Sequence, residues 1–141
     1  MKKIGSTLAL IIVIIFYVTA QTKSSPPVNI KASIARGQLV YRKVCLSCHM
    51  ADGGGVPRMN PPLIQTSYIL GDKSQIIYIV LHGMVDRVPI GDEYYSNNMA
   101  AHTDLNNQQI ADVLTYVRNS FGNKASAVTV ADVKAVRDKK K

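Results

Sequence analysis

The sequence predicts an all-α domain of about four to five short helices. Three observations predict it. Asp72 with Gln75, Asn106 with Gln109 and Thr129 with Asp132 each place a capping residue three positions ahead of a side chain that can reach back to it. Apolar residues follow each pair at helical spacing. Both cysteines fall in one stretch, Cys45-Leu46-Ser47-Cys48-His49, a pattern that attaches a prosthetic group covalently. Helices this short in so small a chain have little core unless they close around such a group.

Taken from the N-terminus, Lys2 and Lys3 precede an apolar run from Leu8 to Val18, and Val18-Thr19-Ala20 offers small residues where a signal peptidase reads. Residues 1–20 are therefore expected to be a signal peptide cut after Ala20, which sends the chain to the periplasm. The rival is an uncleaved anchor, but the run is 11 residues long, against the roughly 20 that span a bilayer. Residues 21–32, rich in Ser, Thr and Pro, read as a flexible leader, residues 33–138 as a single domain and 139–141 as a basic tail.

From about Ser33, Ile34, Tyr41 and Val44 with Gly37 between them mark an amphipathic helix that runs into the cysteine motif. Asp52-Gly53-Gly54-Gly55 is a loop, and Pro57, Pro61 and Pro62 keep the next segment extended. Ile76, Ile77, Ile79, Val80 and Leu81 continue a helix from Asp72 to a stop at Gly83, although their β-branched character also suits a strand. Residues 84–103 lack periodicity, and Pro89 and Gly91 suggest turns and a short hairpin. Ile110, Val113, Leu114, Val117 and Phe121 give the firmest helix, ending at Gly122, and Val130, Val133 and Val136 a last short one.

The cysteine motif carries the chemistry. Each thiol can add to a vinyl group of haem, and His49 then lies under the ring as an axial ligand to iron. A thioredoxin-like pair wants a strand-to-helix context, and a structural zinc site wants four ligands; neither is visible. A plain Cys45–Cys48 disulfide leaves His49 unexplained. A low-spin electron-transfer haem needs a sixth ligand, and a Met thioether raises the reduction potential. Met50 adjoins His49 and cannot reach the opposite ring face, and Met59 follows too closely. Met99, in the polar segment Asn97-Asn98-Met99-Ala100-Ala101-His102, is the leading candidate, with Met84, His102 and His82 as alternatives.

These residues resemble the class I monohaem cytochromes c over nearly all of the chain after residue 20. Gly37 and Tyr41 match that family's first helix, whose glycine allows close crossing of the last, and IADVLTYVRN from Ile110 looks like that last helix with Tyr116 as its packing aromatic. Pro61-Pro62-Leu63 looks like the turn in which the proline carbonyl holds the ligand histidine's other nitrogen and the leucine packs on the ring. Asn97-Asn98-Met99 is similar to the axial methionine loop. LHGMVDRVPIGDEYY, NNMAAH and IADVLTYVRNSFGN look like bacterial c domains found alone or attached to periplasmic oxidoreductases such as quinoprotein dehydrogenases and copper nitrite reductases. One departure stands out: Ala100 replaces the proline that usually follows the axial methionine.

The resemblance implies the cytochrome c fold around one covalently bound haem c, with Cys45 and Cys48 attaching it, Pro61 and Leu63 in its pocket, and His49 and Met99 on its iron. It implies a periplasmic one-electron carrier rather than an enzyme. Its partners are a redox donor and acceptor, with peripheral association with membrane respiratory complexes. The alternative is a haem c subunit of a periplasmic oxidoreductase, or a small-ligand-binding haem enzyme using His82 and His102 as acid and base. Removing Lys2 and Lys3 with the signal segment takes the formal net charge from +8 to +6. That positive balance suits acidic docking surfaces, and export to the periplasm argues against nucleic acid as a partner.

Overall fold

The computed structural model describes residues 29–139. The expected signal segment, residues 21–28 of the expected leader, and Lys140 and Lys141 of the expected tail lie outside the described residues. Among the described residues are six helices and one two-stranded hairpin, with two of the helices no longer than a single turn.

Helix α1 spans Ile30–Val44. It begins ahead of Ser33 because the Asn29 side chain accepts the Ala32 N–H at 3.1 Å, which makes Asn29 a cap and residues 30–32 helical rather than leader. Ser33, Gly37 and Tyr41, four apart, form its buried face. The cysteine motif turns once more as α2 (Leu46–His49) and stops at Met50, whose φ of 62° cannot continue a helix. The Met50 carbonyl accepts the Tyr41 hydroxyl at 2.7 Å, so α1 holds the end of the motif.

A one-turn helix, α3 (Ser67–Leu70), follows the proline segment, with Thr66 as its cap. The sequence shows no periodicity for it because a single turn leaves nothing to repeat. Helix α4 (Lys73–His82) settles the helix-or-strand ambiguity: Ile76, Ile77, Val80 and Leu81 are buried on one helical face. Asp72 caps it by accepting the backbone N–H and the hydroxyl of Ser74, at 2.9 and 2.7 Å, and the box expected with Gln75 does not form. Gly83 ends it at φ 74°.

The expected hairpin is β1 (Val88–Ile90) against β2 (Glu93–Tyr95), antiparallel, with Val88 opposite Tyr95 and Ile90 opposite Glu93. Helix α5 (Asn107–Val117) opens with the expected capping box, Asn106 and Gln109 exchanging bonds of 2.9 Å. Every residue from Ile110 to Val117 is buried, so this helix is the centre of the domain. It ends at Val117, before Gly122. Phe121 lies past the end at φ 57°, turned back so that its ring packs 5.4 Å from Tyr41 and 5.6 Å from Tyr116.

Helix α6 (Val130–Arg137) has the second capping box, Thr129 with Asp132. It buries Val133 and Val136 and leaves Val130 largely outside. Lys73 reaches Asp132 at 3.0 Å, tying α4 to α6. The Thr115 hydroxyl donates to the Val128 carbonyl at 3.1 Å and accepts the Val128 N–H at 3.0 Å, which fixes the connection from α5. The core thus joins α1, α4, α5 and α6. Among the described residues no helix is long and apolar enough to cross a membrane.

Candidate haem-binding site

The folded chain has a cavity of ≈ 260 Å³. Its walls come from the end of α1, the cysteine motif, the proline segment, one face of α4, the hairpin, the 97–102 loop and the apolar face of α5. Cys45, Cys48, His49, Pro61, Leu63 and Met99, all singled out by the sequence, line it together. Most of the remaining lining is aliphatic, including Ile76, Val80, Val113, Leu114 and Val117, with Asn60, Thr66, Tyr68, Asn97, Asn98 and His102 as polar exceptions.

His49 is oriented by its neighbour loop. Its Nδ1 lies 3.0 Å from the Pro61 carbonyl oxygen. A carbonyl accepts only, so Nδ1 carries the proton and Nε2 keeps its lone pair for a metal. Burial pushes the His49 pKa below its ordinary value, against the Pro61 hydrogen bond, and the charge of His102 lowers it further. The ring is therefore neutral at neutral pH, the form that ligates.

The cysteines differ in setting. Cys48 is exposed, while Cys45 is partly buried and both are free thiols. Burial, with the nearby Cys48, pushes the Cys45 thiol up to about 11. A thiol held protonated at neutral pH is a poor redox nucleophile, which disfavours the thioredoxin-like reading. Among the described residues no three His, Cys, Asp or Glu side chains gather to hold a metal, so the zinc reading has no ligand set.

The methionine candidates separate clearly. Met50 and Met59 are exposed, and neither lines the cavity. His82 is exposed on α4, its ring tilted against that of Tyr78 with the centroids 4.3 Å apart, and it does not line the cavity. Met84, Met99 and His102 all line the cavity. Met84 and Met99 are moreover paired: the Met84 N–H donates to the Met99 carbonyl at 3.0 Å and the Met99 N–H to the Met84 carbonyl at 2.8 Å.

The donor set fits a haem c: two thiols of the motif at one side, a neutral imidazole with a free Nε2, a thioether and an apolar surround. The profile of the family described as cytochrome c matches residues 34–121. The chain belongs to the cytochrome c family. Its membership brings with it haem c and electron transfer. The cytochrome c subunit of a quinone alcohol dehydrogenase from Gluconacetobacter polyoxogenes is 38% identical over 110 residues, covering 72% of this chain and 22% of that subunit. Cytochrome c-552 of Thermus thermophilus is 28% identical over 115 residues, covering 75% of this chain and 87% of that protein. The cytochrome c subunit of gluconate 2-dehydrogenase from Pantoea cypripedii is 35% identical over 104 residues, covering 72% of this chain and 24% of that subunit. This cytochrome c thus spans under a quarter of the length of the dehydrogenase subunits it matches.

Two residues of this cytochrome c that support the cavity wall were not singled out from the sequence. Asn123 is buried; its Nδ2 donates to the carbonyls of Leu63 and Val117 at 2.7 and 2.8 Å, and its Oδ1 accepts the Gln65 N–H at 2.7 Å. It fastens the loop bearing Leu63 to the end of α5. Arg118, also buried, donates Nη1 to the carbonyls of Ile69 and Gly71 and Nε to that of Ser126. Its guanidinium satisfies the open carbonyls at the end of α3, where a positive charge is favoured.

Proposed function

We propose that the protein is a periplasmic one-electron carrier that holds a single haem c through thioethers from Cys45 and Cys48, with His49 and Met99 as the axial ligands. The observation that carries this reading is the 3.0 Å contact between His49 Nδ1 and the Pro61 carbonyl in a cavity that both cysteines and Met99 line. When bound, the haem supplies an iron that cycles between ferric and ferrous states.

The protein residues set how easily that cycle runs. Pro61 fixes the tautomer and aim of His49, so the imidazole does not reorient between states. The Met99 thioether favours the ferrous state, and the aliphatic wall of Ile76, Val80, Val113 and Leu114 disfavours the extra positive charge of the ferric one. Both effects raise the potential. Held by both His49 and Met99, the iron would have no position left for a substrate, and the exposed Cys48 would attach the group at the solvent-facing side of the motif.

A donor and an acceptor protein complete the circuit. The dehydrogenase cytochrome subunits among the relatives favour a dehydrogenase as donor, with this chain acting either freely or as a bound subunit. The positive net charge supports acidic docking surfaces on the partners.

The test is the full chain co-expressed with a haem c maturation system. Haem that stays with the polypeptide on a denaturing gel, a low-spin spectrum and the weak near-red thioether-to-iron band in the ferric state are expected. Loss of haem on the gel overturns covalent attachment, and a high-spin wild type that binds carbon monoxide rapidly overturns the carrier reading in favour of a ligand-binding haem.

A further inference from the structure

Met84 is left over by the proposed ligand set, yet its placement is as constrained as that of Met99. Gly83 ends α4 at φ 74° with its Cα so near the 97–102 loop that an added Cβ would stand 2.5 Å from the Met99 carbonyl oxygen. The two backbones then exchange the hydrogen bonds of 3.0 and 2.8 Å between Met84 and Met99. Residues directly opposite in such an antiparallel bridge project their side chains to the same side. Here that side is the cavity, and both methionines line it.

From this pairing we propose that the site carries two thioether donors for one iron position, Met99 as the resting ligand and Met84 as its replacement. The inference rests on the haem reading above. In the exchange the bond from Met99 Sδ to iron breaks and one from Met84 Sδ forms; no electron leaves and no proton moves. A methionine has three rotatable side-chain bonds, so the sulfurs trade places by rotamer changes while the backbone bridge stays closed. The chain permits the exchange on the Met99 side as well, since residue 100 is an exposed alanine rather than a ring-locked proline. The thioether character of the site, and with it a positive potential, then survives oxidation or displacement of either sulfur.

The experiment compares wild type, Met99→Leu, Met84→Leu and the double variant, each as the haem-loaded full chain. Leucine keeps volume and removes the donor. The readouts are the near-red band of the ferric protein and the rate of carbon monoxide binding to the ferrous protein, with circular dichroism to confirm folding. Expected are a retained band in wild type and in both single variants, and loss of the band with rapid carbon monoxide binding only in the double variant. Loss of the band in Met99→Leu as complete as in the double variant overturns the proposal and leaves Met99 as the sole thioether. A band lost in Met84→Leu but kept in Met99→Leu, or missing from wild type, overturns the axial assignment underneath it.

Discussion

Gly37 of α1 lies against the backbone of Asp112 in α5: a Cβ built on Gly37 would stand 2.0 Å from the Asp112 carbonyl oxygen and 2.8 Å from the Tyr116 Cβ. The two helices therefore touch backbone to backbone, and no side chain intervenes. That contact sets how closely α1, which leads into the cysteine motif, sits on the helix that lines the cavity with Val113, Leu114 and Val117.

Gly37→Ala must push the helices apart, because the obstructing atoms are backbone and cannot rotate away. Overpacking of this kind costs about 1–3 kcal/mol, and the upper end applies here since α5 is buried along its length. Denaturant unfolding of the haem-loaded protein measures it. A midpoint equal to wild type would mean that the crossing is looser than this contact requires.

The same crossing carries a buried charge. Asp112 accepts from Ser33 at 2.6 Å and takes a two-pronged bond from Arg36 at 2.7 and 2.8 Å. Burial alone would push the carboxyl up, but the hydrogen bonds from Arg36, Ser33 and Gln108, with the charge of Arg36, outweigh it and hold the pKa below the ordinary value. A depressed folded pKa means stabilisation that is complete above the unfolded value of about 3.9 and is lost as pH falls through the folded one. Asp112→Asn should thus be less stable than wild type at neutral pH, and the gap should close in strong acid. A gap that does not change with pH would remove the carboxylate from the account.

The cysteine motif and the two capping boxes were legible because each is written within five consecutive residues. Asn106 with Gln109 and Thr129 with Asp132 appear in the fold as the sequence has them. What could not be read is contact across long separations. Met84 and Met99 stand in a segment without periodicity, and only loop closure pairs them. Phe121 continues the helical spacing of α5, but Tyr41, far away in sequence, offers its ring a better place than one more helical turn. Arg118 looks like any charged residue near a helix end until α3, itself too short to predict, presents its carbonyls.

Arg118→Lys tests that last relationship. The guanidinium donates in two directions at once, to Ile69 and Gly71 on one side and Ser126 on the other. A lysine ammonium keeps the charge but lacks the planar fork. One set of buried carbonyls then loses its partner, a cost of about 1–3 kcal/mol. Thermal unfolding of the haem-loaded variant should fall accordingly, while Arg42→Lys, at an exposed position, should not. Equal melting of Arg118→Lys and wild type would show that charge alone, without the fork, is what α3 requires.

Partner charge is the remaining lever, and ionic strength reads it without a mutation. A chain with formal net charge +8, or +6 without Lys2 and Lys3, meets an acidic surface faster than a neutral one, because the long-range field concentrates productive encounters. Such steering acts beyond contact distance and is screened once the Debye length shrinks to about 8 Å at physiological salt. Second-order electron transfer to an acidic redox protein should therefore slow by about tenfold or more from low to physiological ionic strength. Transfer to a basic acceptor should quicken with salt instead. If both rates are flat, charge does not govern the encounter, and the positive balance of the chain serves something other than docking.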